Sequence, residues 1–181
     1  MHATLKKLYR DHAHFNRLMD LLERQLDGLE EGSGPVPPLL TELVAYVADY
    51  VDTFHHPVED QLYQLMLARS DTGREQLDRL LGDHQLLTNV TRKLRKALAA
   101  IEGNGAQARS EALALGRELV RDQRAHMQLE EKEAFPLLRE ELAPEVFDQA
   151  AAAIPAMEDP LLDAAQQERY PALFACLGRN G

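Results

Sequence analysis

Between Leu77 and Ile101 the chain reads LDRLLGDHQLLTNVTRKLRKALAAI, with a stripe at Leu77, Leu80, His84, Leu87, Thr91, Leu94, Leu98 and Ile101. The steps alternate between three and four, which places these side chains on one face of an α-helix. One slot of that otherwise apolar face holds a histidine. Working outward, the window from Ala3 to Leu29 repeats the pattern with Leu5, Leu8, His12, Phe15, Met19, Leu22, Leu26 and Leu29. Two more windows carry it with more polar content at mid-length. One is Leu40, Val44, Val47, Val51, His55, Glu59, Leu62 and Met66; the other is Leu115, Leu119, Asp122, His126, Glu130, Glu133 and Leu137.

Glycine and proline separate these windows at Gly32-Ser33-Gly34-Pro35, at Ser70-Asp71-Thr72-Gly73, at Gly103-Asn104-Gly105 and before Pro144. Such clusters end helices and open short connections. β-Branched residues nowhere alternate with polar ones over a useful length, so no strand is expected. The reading is all-α: an up-down-up-down four-helix bundle over residues 1–143, with a helical extension over 144–181 packed on it. The extension, punctuated by Pro155, Pro160 and Pro171, holds one or two short helices. Its apolar pattern is Leu161, Leu162, Ala165, Tyr170, Leu173, Phe174 and Leu177.

A chain of 181 residues with 45% hydrophobic and 28% charged content can bury one sizeable core. Lys and Arg number 20 against 30 Asp and Glu, a net charge of -10, which repels phosphate backbones and anionic headgroups. No nucleic-acid partner and no membrane partner are therefore expected. The start, Met1-His2-Ala3-Thr4-Leu5-Lys6-Lys7, runs straight into charge, and no window reaches the length of an apolar span. A cytoplasmic location follows as the expectation. The single cysteine, Cys176, excludes an internal disulfide, a Cys-based zinc site and a Cys-ligated cluster.

The polar slots form a repeat. Asp11-His12 returns as Asp83-His84 after 72 residues, and the pair His55-x3-Glu59 returns as His126-x3-Glu130 after 71. Residues four apart share a helix face about 5–6 Å apart, suited to gripping one metal. In a bundle, His12, His55, Glu59, His84, His126 and Glu130 would meet at similar depth. Buried ionisable groups are costly unless compensated, and a metal supplies that compensation. Six N/O ligands exceed one zinc and suit two irons sharing bridging glutamates and an oxo or hydroxo bridge, leaving a position open on each. The bland alternative is a set of hydrogen-bonded core histidines beside solvated i,i+4 neighbours.

Other polar residues read less sharply. His14 and His56 lie about 200° and 100° round the helix from His12 and His55, so both are set aside as ligands, and His56-Asp60 could form a pair either behind the ligands or at the rim. His2 reads as bland. Glu131 competes with Glu130 as carboxylate ligand. Asp122 could orient His126 or lie on a solvated face; Tyr9 and Tyr63 stand one turn from His12 and Glu59, where ordinary core tyrosines are favoured over ones that bond a ligand or line the pocket; and Pro57 should bend its helix.

Together these segments resemble the hemerythrin-like, HHE cation-binding family. The resemblance is carried by Asp11-His12 with Leu18-Met19-Asp20-Leu21-Leu22-Glu23, by Phe54-His55-His56-Pro57-Val58-Glu59-Asp60, by Asp83-His84, and by His126-Met127-Gln128-Leu129-Glu130-Glu131 followed by Phe135-Pro136. It covers about residues 3 to 142 and implies a four-helix bundle with a non-haem di-iron centre on the six residues above. Oxygen-carrying hemerythrins have a second histidine in the third helix where this chain has Thr88, and an Asp at the position of Glu131. Four histidines and two glutamates look more like the bacterial iron-centre repair proteins, whose N-terminal cysteine region this sequence lacks.

The implied role is binding or reaction with O2, nitric oxide or peroxide in stress defence, sensing or iron handling. Two other uses fit the residues: reversible O2 binding without turnover, and a metal-stabilised interaction module whose tail docks a partner or a second copy as a homodimer.

Overall fold

The computed structural model describes residues 1–32, 34–155, 159–163 and 167–178, with the side chains of 103, 104 and 162 excepted. Every regular element among them is helical. Helix α1 (Ala3–Glu31) opens on His2, whose Nδ1 accepts a bond from the Thr4 N–H at 3.2 Å. That satisfies one of the orphan donors of the first turn, so the histidine read as bland is an N-cap.

The second rod is α2 (Pro38–Tyr46), a π-helical run over Val47–His55, and α3 (His56–Leu67). The fourth window has the same construction, with a π run over Glu130–Ala134 followed by α5 (Phe135–Glu141). Pro57 and Pro136 stand at the second position of α3 and α5. Each lacks the N–H that would bond four residues back, and the turn before each widens to i→i−5 bonds, His56 N–H to Val51 O and Phe135 N–H to Glu130 O. The disturbance expected at Pro57 takes this form.

Helix α4 (Arg74–Leu129) joins the third and fourth windows through a break at Gly105, with φ 52° and ψ −125°. Only glycine adopts that conformation freely, so this residue reverses the chain between two arms. The arms then line a common cavity, Asp83 and Lys93 from one and Glu118 and His126 from the other, with Asp83 3.8 Å from His126 Nδ1. Cross-helix bonds show the same opposed order against α1. Arg109 donates to Leu29 O, Arg117 to Asp27, and Arg124 to Asp20, numbers rising on one helix as they fall on the other.

Two apolar cores result. One gathers Phe15, Leu22, Val44, Tyr46, Leu94 and Leu119; the other gathers Leu5, Leu62, Tyr63, Leu80, Phe135 and Leu138. Each fully buried aliphatic side chain contributes about 1.5–3 kcal/mol. His12 lies between Leu8 and Phe15, and His84 between Leu80 and Leu87, so the polar layer separates the two cores.

Helix α6 (Pro144–Ala153) packs on α3 and α1, burying Val146, Phe147 and Ala150, with the His2 ring stacked on Phe147. Buried Asp159 accepts bonds from Tyr46 OH at 2.9 Å and the Leu161 N–H at 2.9 Å, and lies 2.7 Å from His14 Nδ1. Helix α7 (Pro171–Gly178) is held to α2 by Glu42, whose carboxylate accepts the Ala172 and Leu173 N–H groups at 3.1 and 2.8 Å. A carboxylate at a helix N-terminus meets both orphan donors and the positive end of the dipole. Of the tail pattern, Ala165 and the Leu162 side chain lie outside the described residues.

Candidate metal centre

Four elements deliver the polar layer. His12 comes from α1, His55 and Glu59 from the junction of π run and α3, His84 from the first arm of α4, and His126 and Glu130 from its second arm and the π run beyond. All six are buried, with both glutamates at 0% exposure. The six residues named from spacing therefore meet in one place.

The imidazoles present Nε2 inward. His55 Nε2 is 3.1 Å from Glu59 Oε1 and His126 Nε2 is 3.1 Å from Glu130 Oε1, the two i,i+4 pairs. His12 Nε2 sits between the glutamates, 3.4 Å from Glu59 and 3.3 Å from Glu130. His84 Nε2 mirrors it at 3.5 Å from each. Each glutamate thus faces imidazoles from both halves of the sequence repeat.

Behind this layer stands a second one of carboxylates on Nδ1. Asp60 is 2.6 Å from His84 Nδ1, Glu131 is 3.0 Å from His12 Nδ1, and Asp11 is 3.3 Å from His55 Nδ1. Asp83 faces His126 Nδ1 at 3.8 Å, beyond hydrogen-bond range. A carboxylate can only accept, so Nδ1–H donates in the three bonded pairs and Nε2 keeps its lone pair for the interior. Metal-binding histidines are fixed in this way. The pattern has an internal symmetry. The Asp of each Asp-His pair faces the histidine of the following helix, and the acid after each glutamate bonds the Asp-His histidine of the other half.

The inward atoms have no conventional partner. All four Nε2 atoms, both Glu59 oxygens and Glu130 Oε2 are buried without a hydrogen bond, while Glu130 Oε1 accepts from Tyr63 OH at 2.7 Å. Leaving so many polar atoms unsatisfied would cost about 1–3 kcal/mol each. Imidazole nitrogens and carboxylates are the donor set of a divalent or trivalent metal, so the residues fit one.

Electrostatics agree. Burial by itself would lower the His12 and His84 pKa, but the bond to Glu131 and the nearby Glu59 carboxylate lift His12 to about 10, and the bond to Asp60 and the nearby Glu130 carboxylate lift His84 to about 10. Glu130 runs the other way. Burial opposes its ionisation, and His126 and His84 hold it well below the ordinary carboxylate range. Without metal these shifts favour a lattice of protonated imidazoles and ionised carboxylates, and a bound cation would take the place of the protons on Nε2.

A family model for the hemerythrin HHE cation-binding domain matches residues 3–138. The chain belongs to this family. Comparison with curated proteins and with solved structures finds no match. All six convergent residues fall inside the hemerythrin match, and α6 and α7 lie beyond it.

Several expectations made for this hemerythrin centre change on the structure. Glu131 has a 40% exposed side chain and bonds the outer nitrogen of His12, so Glu130 is the carboxylate that faces the interior. Asp122 accepts from Arg121, and Asp83 takes the place beside His126. Tyr63 reaches the centre through Glu130, on a different helix from the glutamate one turn away. Tyr9 packs edge-on to Phe135.

The larger correction concerns His56. It is 2% exposed, its ring stacks on His84 at 4.2 Å, and it pairs with Asp52 and not with Asp60, which is engaged by His84. The 100° step from His55 does not turn it to the rim, because this rod packs between α1 and α4 and buries a wide face. His55 meets Phe15 and His12 on one side while His56 meets His84 and His126 on the other.

Two surface cavities reach the polar layer. One of about 340 Å³ is lined by Leu8, Phe54, His55, Val58 and Ile154 with Lys7 at its edge. The other, of about 430 Å³, touches Asp83 and His126 among Arg79, Lys93, Glu118 and Asp122. Among the described residues no helix is long and apolar enough to cross a membrane.

Proposed function

We propose that the chain is a non-haem di-iron protein that binds or reacts with O2, nitric oxide or peroxide. His12, His55, Glu59, His84, His126 and Glu130 would hold the iron pair, the four imidazoles through their inward nitrogens and the two glutamates as the carboxylates shared between them. The observation that supports this is the convergence of four Nε2 atoms and two carboxylates, buried and without partners, from all four helical windows. When bound, the iron pair with its oxo or hydroxo bridge supplies Lewis-acid and redox chemistry toward a small ligand.

The protein's own part is to hold and shield. Asp11, Asp60 and Glu131 fix the imidazole tautomers, Tyr63 restrains Glu130, and the two apolar cores exclude bulk water from above and below. Buried carboxylates placed between the irons would spread their charge over both, which suits a bridged pair better than two separate ions. The apolar cavity at His55 admits something small and uncharged more readily than an anion with a hydration shell.

The architecture that goes with this reading is an up-down-up-down four-helix bundle over residues 1–143 carrying the extension 144–181, in a cytoplasmic protein without nucleic-acid partners. The opposed order of the cross-helix bonds supports the topology. Packing of α6 and α7 on the bundle leaves the tail engaged with its own chain, which weakens the docking-module alternative.

The test is metal content and visible spectrum of anaerobically purified protein before and after air. Two irons per chain, an oxo-bridge band appearing in air, and iron loss in both His55→Ala and His126→Ala are expected. Zinc, a folded protein that takes no metal, or unchanged iron in both variants overturns the reading. A stable, reversible oxygenated spectrum would select O2 carriage over turnover.

A further inference from the structure

The six-residue set leaves one buried histidine unexplained. Both ring nitrogens of His56 are buried without a hydrogen-bond partner, and so is Asp52 Oδ1 beside it. An imidazole retained in a core normally satisfies at least one nitrogen, since an unpaired buried polar group loses its bonds to water and gains none in return. This ring lies against the centre. One of its nitrogens falls within 4.8 Å of ligand atoms of Glu59, His84 and His126, which likewise lie within 4.8 Å of each other. The corresponding group on the opposite side contains only His12, His55 and Glu59.

We infer that His56 is an additional metal ligand on the His84/His126 side, so that the two ions of the centre are unequal, one with three imidazoles and one with two. The inference rests on the di-iron reading above and adds a ligand to it. The surroundings of His56 repeat the arrangement of the other inward histidines. Asp52 Oδ1 stands 3.5 Å from its Nδ1, as Asp60, Glu131, Asp11 and Asp83 stand behind theirs, leaving Nε2 for the interior.

The sequence repeat shows why only one side has it. His55-His56 corresponds to His126-Met127, and Met127 is 1% exposed within the apolar core. The repeated half supplies a thioether in a dry environment where the first half supplies an imidazole. The His84/His126 ion would then have its coordination filled by protein. The other ion would keep the open position, next to His55 and the apolar cavity that ends on it.

Ligation also requires a movement that can be tested. The His56 and His84 rings are face to face at 4.2 Å with 16° between planes. Two imidazoles that both direct in-plane lone pairs at one ion cannot stay stacked, so metal binding turns His56 about its side-chain torsions away from the His84 face.

The deciding experiment uses the full chain loaded with Co(II) and counts the hyperfine-shifted exchangeable imidazole N–H signals in the proton NMR spectrum. Five in the wild type and four in His56→Gln are expected. Affinity for the second Co(II), by chelator competition, should fall at least about tenfold in the variant, and roughly tenfold in Asp52→Asn. Four signals in the wild type overturn the inference, whether or not the variant folds, as does an unchanged count and affinity in a folded His56→Gln. A wild type that takes up neither Co(II) nor Fe(II) overturns the six-residue centre itself, and this ligand with it.

Discussion

The two sides of the centre come from one repeated pattern, yet they are not equivalent. On one side His12 and His55 pack against Phe15 and Phe135, and an apolar cavity reaches His55. On the other, His84 and His126 share their space with a third imidazole and face a polar cavity. The same donor types at the same spacing thus acquire different surroundings. Internal duplication sets the number of inward donors, and the neighbours that are not duplicated make one side apolar and the other polar.

The largest effect tests what the sides share. His12 and His84, one from each half, are each lifted to about 10 from 6.5. Raised pKa values contribute stability that is complete below the unfolded pKa and vanishes as pH climbs through the folded one. The metal-free protein should therefore lose stability between about pH 6.5 and 10, by several kcal/mol over the two groups. Metal displaces the same protons, so the gap in melting temperature between loaded and metal-free protein should widen over that range. Calorimetry of both forms against pH checks this, and a metal-free melting temperature that rises toward pH 10 would contradict the lattice of protonated imidazoles.

A smaller effect separates the sides. Asp60 bonds His84 at 2.6 Å and Glu131 bonds His12 at 3.0 Å. Asp60→Asn should weaken metal binding roughly 10- to 100-fold, and Glu131→Gln toward the lower end of that range, as the more exposed carboxylate at the longer distance. Metal competition titrations on the two variants measure the order, and equal losses would mean that the outer carboxylates do not distinguish the sides.

Smallest is the tyrosine contact that only one glutamate has. Tyr63→Phe removes the bond to Glu130 and should cost about 1–2 kcal/mol in denaturant unfolding, with little change in metal count. A loss of metal as large as that from His126→Ala would make Tyr63 part of the coordination and not a restraint on it.

Much of this was legible in the residues. The three-and-four spacing of Leu77 to Ile101 specifies a helix whatever it packs on, and His-x3-Glu places two donors on one helix face from local geometry alone. The pairing of Asp60 with His84 and of Glu131 with His12 was not legible, because these partners lie 24 and 119 residues apart and meet only when helices pack. Asp122 looked suited to His126 from one turn away, but position around the helix gave it to Arg121 instead. His56 escapes a reading by helical angle because its helix has neighbours on both sides and buries more than one narrow face.

By itself the sequence determined that the chain is helical, where its helices break, and that four histidines and two glutamates recur at matching depth, because each of these depends on residues within a few turns of one another. Tertiary structure alone decided which nitrogen of each imidazole turns inward, which carboxylate fixes it, that His56 joins the cluster, and that one side meets an apolar cavity. Those properties are set by contacts between helices, where the distance between side chains bears no relation to their separation along the chain.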